Sequence, residues 1–291
     1  MVGAIRLISS ARRWNDLHVI SSVIDARESQ FDRRHGRIRG AGMNLTNRII
    51  LVTGGGSGIG LELSRQFAKL GNTVIICGRN TEKLDAAAAQ FGLHAIAGDM
   101  TVASDQDRLF VLIEKQHGRL DMLVNNAGVF NVYDFASDPD TLRKIETEIA
   151  INAVAPLTLS SRALPLLKKA THPAILFIGS GIAYVAFSGT PVYSGTKALI
   201  HHCSQTLREQ LRPHGIAVFE AMPPVVDTDM AKAMTSPAFK KMKPDDLVKT
   251  IINGLRHDRF EIVIGQSKQI KLMSRLAPDF IFRQFAKTKL N

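Results

Sequence analysis

The stretch RIILVTGGGSGIGLEL, residues 48–63, contains the strongest indication of the fold. A run of apolar and β-branched residues passes directly into the glycine-rich segment 53–60, and residues 61–70 then show the period of a helix. Glycines at such a turn let the backbone approach a pyrophosphate closely, while the N-terminus of the following helix offers free N–H groups to it. The order of strand, glycine loop and helix therefore predicts a dinucleotide-binding site.

The remainder of the chain alternates short apolar runs with segments of helical period, which is the pattern of a doubly wound parallel sheet. The predicted strands lie near residues 48–53, 73–77, 93–97, 121–125, 173–179, 216–221 and 260–264. The predicted helices lie near residues 58–70, 82–90, 104–117, 140–169, 191–212 and 244–255. We expect an α/β fold with a single Rossmann domain over residues 43–267, a seven-stranded parallel sheet and helices on both faces.

The composition narrows the classes of protein that remain. The net charge of +11 is not concentrated in a stripe with interleaved aromatic residues, so we expect no nucleic-acid partner. Two cysteines, Cys77 and Cys203, occur without a C-x-x-C motif or a Cys/His cluster, which predicts a reducing, cytoplasmic compartment and no metal site. The longest apolar runs are far shorter than the roughly 20 residues of a membrane-spanning helix, so none is predicted.

Both ends of the chain fall outside the predicted domain. Residues 1–42 have no clear period and contain eight arginines and four acidic residues, which fits neither a secretory signal nor a transit peptide. We predict an N-terminal extension that is disordered or not native, and Met43 as the physiological start is an alternative that N-terminal sequencing would test. Residues 268–291 form a basic amphipathic tail, for which packing on its own domain or a partner subunit and weak peripheral contact with an anionic membrane both stay open.

The segment TPVYSGTKALI, residues 190–200, places a tyrosine and a lysine four positions apart among small and apolar residues. On a helix, Tyr193 and Lys197 would lie side by side on one face. Taken alone, this spacing favours surface decoration over a proton-transfer pair, because Y-x-x-x-K occurs by chance in many chains. The next two histidines, His201 and His202, are expected to be packing or surface residues.

Four motifs together resemble those of the short-chain dehydrogenase/reductase family, over about residues 44–265. The glycine loop fits the family pattern T-G-x-x-x-G-x-G, and the tyrosine–lysine pair fits Y-x-x-x-K. The segment NNAG at residues 125–128 fits the end of the family's fourth strand, while Ser180 and Asn152 occupy the positions of its catalytic serine and asparagine. Within the family, the segments GGGSGIGLEL, NTVIICGRN and PPVVDTDM are most similar to the bacterial DltE-type oxidoreductases.

The resemblance implies a catalytic role for four residues, Asn152, Ser180, Tyr193 and Lys197. An unperturbed tyrosine has a pKa of about 10, so it is almost entirely protonated at neutral pH and is a poor base there. We expect the charge of Lys197, together with the oxidised nicotinamide, to lower the pKa of Tyr193, so that the phenol can act as a general acid and base. Ser180 is expected to polarise the substrate oxygen, and Asn152 to kink its helix and hold a water in line with the lysine.

The same resemblance gives the residues expected to bind the cofactor. They are Thr53, Gly54, Gly56, Ser57, Gly58, Ile59, Gly60, Arg79, Asn80, Asp99, Met100, Asn126, Ala127, Gly128, Tyr193, Lys197, Pro223, Val226 and Thr228. An NAD site places an acidic residue after the second strand, whereas this chain has Arg79 there. We therefore expect NADP(H) to be preferred over NAD(H). Asp99 is expected to accept the adenine amino group, with a turn-forming role as the alternative.

One departure from the family pattern concerns the loop after the sixth strand, where Pro224 stands at a position that is usually glycine. Cofactor binding is expected to survive this change. The sequence does not determine the conformation of the loop that follows Pro224. We expect the segment 229–242, with its methionines, to select a mostly apolar substrate.

These expectations lead to an NADP-dependent oxidoreductase that transfers a hydride between the nicotinamide and a carbonyl or secondary alcohol of a small-molecule substrate. One alternative is a β-ketoacyl reductase acting on acyl carrier protein, whose acidic surface the basic chain would attract. A second alternative is a non-catalytic dinucleotide-sensing protein, which would need only the glycine loop. The resemblance also implies a homodimer or homotetramer that pairs the helices near 104–117 and 140–169.

Overall fold

Seven parallel strands form one sheet in the order β3-β2-β1-β4-β5-β6-β7. The structure is a computed structural model that describes residues 42–232, 234 and 240–288. Apart from residue 42, the predicted N-terminal extension, residues 1–42, therefore lies outside the described residues. The strands are β1 (Ile49–Thr53), β2 (Thr73–Gly78), β3 (His94–Ala97), β4 (Met122–Asn125), β5 (Ala174–Ile178), β6 (Ala217–Met222) and β7 (Glu261–Val263). The predicted seven-stranded Rossmann fold is confirmed.

The connections between consecutive strands are helical and cover both faces of the sheet. The helices are α1 (Gly58–Lys69), α2 (Thr81–Phe91), α3 (Ala103–His117), α4 (Thr141–Ile149), α5 (Ala155–Leu167), α6 (Pro191–Leu211), α7 (Pro244–Arg256), α8 (Gln266–Leu276) and α9 (Pro278–Lys287). The central strands are fully buried, as in IILVT of β1 and AILFI of β5, because a sheet that carries helices on both sides exposes neither face.

Two separate apolar cores lie on the two faces of the sheet. On one face, Phe67 of α1 and Ile251 of α7 pack against the sheet. On the other face, Ile113 of α3, Leu159 of α5 and Ile200 of α6 do the same. The sheet is thus held rigidly from both sides, which fixes the positions of the strand ends.

The strand order places a crevice between β1 and β4. The chain runs from β1 outward to β2 and β3 and then returns to pair β4 with the free edge of β1, with Val52 opposite Val124. Connections leave the sheet in opposite directions at this switch point, so the carboxyl ends of the two strands are left open, which is where ligands bind in open α/β sheets.

The predicted helix 140–169 contains a local irregularity. Helices α4 and α5 are joined by a π-helical turn, Ala150–Val154, so that the three segments form one continuous stretch. By length and mean hydropathy alone, the 27 residues Thr141–Leu167 resemble a membrane-spanning helix, although the sequence analysis predicts none. In the fold, this stretch is a core helix, because Leu159, Ala163 and Leu166 are buried against the sheet.

The C-terminal residues form two helices, α8 and α9, that pack on the domain near the carboxyl end of β5. The ring centroids of Phe187 and Phe285 are 5.8 Å apart in an edge-to-face arrangement. The hydroxyl of Ser188 donates to the carbonyl oxygen of Ala286 at 3.2 Å, and Ile281 is fully buried in the same cluster. The apolar face of the predicted amphipathic tail is therefore directed toward its own domain.

Candidate active site

A cavity of about 460 Å³ lies at the carboxyl ends of β1, β4 and β5. Its lining runs from Arg79 at one end, through Gly54 and Tyr193 in the middle, to Phe285 of α9 at the other end. The cavity therefore joins the predicted dinucleotide site and the tyrosine–lysine pair in one continuous space.

The glycine loop is shaped by backbone conformations that favour glycine. Gly54 and Gly58 have φ angles of +64° and +54°, in the left-handed region. A side chain at Gly60 would overlap the carbonyl group of Gly54, so this position also requires a residue without a Cβ atom. Because α1 begins at Gly58, the free N–H groups and the positive dipole end of its first turn lie at the loop. This cradle fits the pyrophosphate of a dinucleotide.

Behind the loop, Thr53 and Asn126 connect the ends of β1 and β4. The hydroxyl oxygen of Thr53 accepts from the N–H groups of Asn126 and Ala127 at 3.0 and 2.9 Å. In return, the side-chain amide of Asn126 donates to the carbonyl oxygen of Thr53 at 2.9 Å. These bonds fix the spacing between the ends of β1 and β4 across the crevice.

The outer end of the cavity carries charges of both signs. Arg79 Nη1 lies 4.0 Å from Asp99 Oδ2, and both side chains are substantially exposed. Asp99 also closes a turn, because its Oδ1 accepts from the N–H and hydroxyl groups of Thr101 at 2.9 and 2.8 Å. Asn80 caps α2 by accepting from the N–H of Lys83 at 2.8 Å. An acidic group therefore stands beside Arg79, which the sequence analysis does not expect.

The predicted catalytic residues meet in the middle of the cavity. Ser180 and Tyr193 both line it, and the hydroxyl of Ser180 acts to lower the pKa of Tyr193. Lys197 Nζ lies 5.6 Å from the centre of the Tyr193 ring and donates to the carbonyl oxygen of Ile178 at 2.8 Å. On the other side, the ring of Phe130 packs edge-to-face on Tyr193 with centroids 4.9 Å apart. The spacing of four residues on α6 thus does place phenol and amine side by side.

The groups of the protein alone raise the pKa of Tyr193, whereas the expected lowering includes the charge of the oxidised nicotinamide and stays a prediction. Desolvation of the hydroxyl raises this pKa, the hydrogen bond from Ser180 opposes the rise, and the negative charge of Glu148 adds to it. Burial lowers the pKa of Lys197 to about 8, while the charge of Glu220 acts in the opposite direction. The charges of Lys197 and of the oxidised nicotinamide are the basis of the expected lowering, whereas the removal of water from the two side chains is the largest effect of the protein itself on both pKa values.

Asn152 lies in the π-helical turn and is 2% exposed. Its side-chain oxygen accepts from the N–H of Val129 at 2.8 Å, and its amide donates to the carbonyl oxygen of the same residue at 2.9 Å. The side chain therefore clamps the segment after β4 that borders the cavity. A mid-helix irregularity at Asn152 agrees with the expected kink, while its water-holding role stays a prediction.

Most of the predicted site residues line the cavity. These are Thr53, Gly54, Ser57, Gly58, Ile59, Arg79, Asn80, Asp99, Met100, Asn126, Ala127, Gly128, Ser180, Tyr193, Lys197, Pro223, Val226 and Thr228. Three others lie behind its wall: Gly56 packs near Leu84, Gly60 touches Gly54, and Asn152 holds Val129. The individual roles of all these residues stay predictions.

The loop after β6 is only partly within the described residues. Pro224 lines the cavity and packs beside Gly265, so the unusual proline is accommodated in the wall. Thr228 packs on the glycine loop, with its methyl carbon 3.4 Å from a Cβ atom placed on Gly58. Residues 233 and 235–239 of the predicted substrate-selecting segment lie outside the described residues.

The sequence model of the short chain dehydrogenase family matches residues 48–238. The chain belongs to this family. It is 35% identical over 246 residues to an oxidoreductase named DltE from Bacillus subtilis (strain 168), covering 83% of this chain and 98% of that protein. It is also 28% identical over 217 residues to an oxidoreductase of Staphylococcus aureus (strain USA300), covering 72% and 92%. The resemblance to DltE-type members is confirmed.

Solved structures of short-chain dehydrogenases have the same fold. One from Burkholderia cenocepacia in complex with NADP has a TM-score of 0.74 and 22% identity, covering 84% of this chain and all of that one. The RhlG/NADP active-site complex from Pseudomonas aeruginosa has a TM-score of 0.70 and 24% identity, covering 77% and 97%. The family membership makes this protein an NAD(P)-dependent dehydrogenase/reductase acting on CH–OH groups.

Several residues of this short-chain dehydrogenase site were not expected from the sequence. Glu148 is fully buried one turn before Asn152, and its Oε1 accepts from the N–H of Asn131 at 3.0 Å. Glu220 is fully buried in β6. The charge inside the otherwise apolar run AVFEAM is a signal that could have identified Glu220. Glu148 lies on a helix of mixed composition, where no such contrast marks it.

The contributions of α8 and α9 to the far end of the cavity also were not expected, because three distant segments form this end. Phe187 follows β5, Ile270 lies on α8 and Phe285 lies on α9. We call these three residues the apolar wall. The hydroxyl of Ser267 also lines this end and has no hydrogen-bond partner among residues 42–232, 234 and 240–288. No local sequence signal links residues about a hundred positions apart.

Proposed function

We propose that this short-chain dehydrogenase uses NADP(H) to interconvert a carbonyl and a secondary alcohol on a mostly apolar small molecule. The observation that carries the proposal is the placement of Ser180, Tyr193 and Lys197 on the wall of one cavity that continues into the glycine loop. A protein that only senses a dinucleotide would need the loop but not this set of groups.

The proposed mechanism follows from the protein groups around the substrate oxygen. When bound, the cofactor supplies or accepts the hydride. In the reducing direction, Tyr193 gives its hydroxyl proton to the carbonyl oxygen, while the hydroxyl of Ser180 holds that oxygen by a hydrogen bond. The positive charge of Lys197 stabilises the phenolate that is left. In the oxidising direction, the same phenolate accepts the alcohol proton.

The preference for NADP(H) is supported by the charges at the outer end of the cavity. Arg79 follows β2, and the backbone and side chain of Lys83 also border the cavity. A guanidinium can bind the 2′-phosphate through paired, charge-assisted hydrogen bonds. Asp99 lies close to Arg79 and would be displaced from it by a phosphate. The two NADP complexes among the solved family members agree with this preference.

The preference for an apolar substrate is supported by the apolar wall. Its rings and the side chain of Ile270 face the same space as the catalytic hydroxyls. An acyl chain linked to acyl carrier protein would also fit an apolar cavity, so the β-ketoacyl reductase alternative stays open. The cytoplasmic location and the homo-oligomer stay predictions.

The experiment that tests the proposal is a panel of ketones and aldehydes of increasing chain length, with an acyl-carrier thioester included, assayed with NADPH and with NADH. We expect turnover of at least one apolar carbonyl and a higher kcat/KM with NADPH. Turnover of the thioester alone would favour the acyl-carrier alternative. Tight NADPH binding without turnover of any substrate would favour the sensing alternative and contradict the proposal.

A further inference from the structure

A buried carboxylate lies behind the catalytic lysine, on the side that faces away from the cavity. Glu220 on β6 is fully buried. Its Oε2 accepts from the hydroxyl of Ser204 at 2.9 Å and is 2.8 Å from Nδ1 of His201. Its Oε1 has no hydrogen-bond partner in the part of the chain that the structure describes. One half of the carboxylate is anchored firmly, and the other half is not.

The unpartnered oxygen is directed toward the end of β5. A Cβ atom placed on Gly179 would lie 2.5 Å from Oε1, so this oxygen packs directly on the glycine backbone. The preceding residue, Ile178, provides the carbonyl that accepts from Lys197 Nζ. The carboxylate and the ammonium group therefore contact adjacent residues of the same strand end, without a direct ion pair between these two described residues.

The anchors of Glu220 and the lysine belong to one face of α6. Lys197, His201 and Ser204 are spaced at i, i+4 and i+7, so all three are buried on the side toward the sheet. A buried ionised carboxylate is unfavourable unless hydrogen bonds and an opposite charge compensate it. Screening by water is weak inside the domain, so the charge of Glu220 acts on its buried cationic neighbour with little attenuation.

We propose that Glu220 is a positioning residue for the reaction, whose carboxylate, held by His201 and Ser204, keeps Lys197 in its ammonium form and thereby acts on Tyr193. The step that involves Tyr193 rests on the proposed function, whereas the effect on Lys197 does not. Burial alone lowers the pKa of Lys197, and the negative charge of Glu220 raises it again, to about 8. Without this carboxylate, the lysine would lose its proton within the neutral range.

Other titratable groups pack against this region and belong to the same electrostatic environment. The ring of Tyr184 contacts that of His201, with centroids 5.1 Å apart. The hydroxyl of Tyr184 donates to Glu261 of β7, and Lys271 of α8 forms an ion pair with Glu261 at 3.0 Å. Glu261 is thus compensated by its own cation, which leaves Glu220 as the carboxylate that acts on Lys197.

The test compares Glu220→Gln with a matched control on α6. Glutamine keeps the size and an accepting oxygen but removes the charge. Glu209→Gln removes a carboxylate from the exposed side of the same helix, where Glu209 pairs with Arg212 at 3.3 Å. The ionisation of Lys197 is followed by NMR of the protein labelled with ¹³C-lysine, with its signal identified from a Lys197→Arg sample. Turnover of a carbonyl substrate is measured over the same pH range.

We expect Glu220→Gln to lower the pKa of Lys197 by roughly one unit, as for the loss of a nearby opposite charge. The decline of turnover at alkaline pH should move to lower pH by the same amount, while turnover at pH 6 stays within about twofold of the parent, because the lysine is still protonated there. The control should shift neither quantity. Should Glu220→Gln fail to fold, Ser204→Ala removes one anchor and should give a smaller shift in the same direction.

An unchanged pKa of Lys197 in Glu220→Gln, or in Ser204→Ala where that variant is used, would overturn the inference. A uniform loss of turnover at every pH, with a lower Tm, would indicate a structural role only and would also overturn it. If the parent reduces no carbonyl, the proposed function fails, but the lysine titration still decides whether Glu220 acts on Lys197.

Discussion

The two ends of the cavity are built in different ways. The pyrophosphate cradle at the cofactor end is formed by backbone and small residues of one short segment, where Gly54 and Gly58 adopt left-handed conformations. The substrate end is formed by the large side chains of the apolar wall, which come from three separate segments. The comparison teaches that a site made of backbone is specified by a local motif, whereas a site made of packed side chains is specified only by the tertiary fold.

The largest expected effect lies at the junction of the two ends. Tyr193→Phe removes the hydroxyl that transfers the proton and leaves the ring to pack on Phe130. Turnover should fall by at least about 100-fold, at the low end of general acid/base contributions, with little change in NADPH affinity. Steady-state kinetics on a substrate that the parent reduces, with NADPH binding followed by fluorescence, measures both.

Tyr133→Phe is the matched control for this substitution. Tyr133 is also buried, and its hydroxyl has no hydrogen-bond partner among the described residues. Its removal should leave turnover within about twofold of the parent, since no net hydrogen bond is lost. Near-normal turnover in Tyr193→Phe would show that another group transfers the proton. It would contradict the assignment of the catalytic step to the junction of the two ends.

The second expected effect is confined to the cofactor end. Arg79→Ala should weaken NADPH binding by roughly 10- to 150-fold, because a lost charged hydrogen bond costs about 1.5 to 3 kcal/mol. NADH binding should change little, because NADH lacks the 2′-phosphate. Titration of both cofactors into the parent and the variant, followed by fluorescence, measures the difference.

Two further variants sharpen the assignment of Arg79. Arg143→Ala removes an exposed arginine that pairs with Asp140 on α4, and it should leave both affinities unchanged. Asp99→Asn removes the acidic neighbour of Arg79 and should favour NADPH binding. Equal or tighter binding of NADH by the parent would contradict the expected preference.

The smallest expected effect lies at the substrate end. Phe285→Ala shortens the apolar wall and should raise KM for a long-chain carbonyl about fivefold, which corresponds to about 1 kcal/mol of lost apolar contact. The values of kcat and of NADPH affinity should stay close to those of the parent. Phe282→Ala is the control, because Phe282 lies on the same helix but is 50% exposed on its outer side.

The comparison of these two phenylalanine variants decides whether α9 belongs to the substrate end. A similar KM for both would show that the apolar wall does not contact the substrate. Thermal unfolding of each variant is needed beside the kinetics, because Phe285 also packs on Phe187 and its loss should lower Tm.

The fold was predictable from the sequence because each strand is a compact apolar run with a clear end. The first strand was expected at 48–53 and is observed at Ile49–Thr53. The helix expected at 140–169 is observed as a helix, but its π-helical turn was not expected in detail, because it accompanies the bonds between Asn152 and Val129. Such contacts join residues that local sequence patterns treat separately.

The residues of the candidate site were predictable where short sequence motifs mark them. Most residues of the glycine loop and both residues of the tyrosine–lysine pair line one cavity. The upward effect of burial on the pKa of Tyr193 was missed, because the desolvation of a group depends on everything that packs around it. The position of Asp99 beside Arg79 was missed for a similar reason, since the two residues lie in loops that follow the neighbouring strands β2 and β3.

The position of α9 has a consequence for how such an enzyme diversifies. The helix closes the substrate end with Phe285, yet the groups that move the proton lie on α6 and after β5. If α9 contacts the substrate as proposed, replacing residues 278–287 would alter which molecules are accepted and leave the proton-transferring groups unchanged. The C-terminal helix is therefore the segment at which substitutions would change substrate specificity with the least effect on catalysis. It is the first segment to vary when the enzyme is to be given a new substrate.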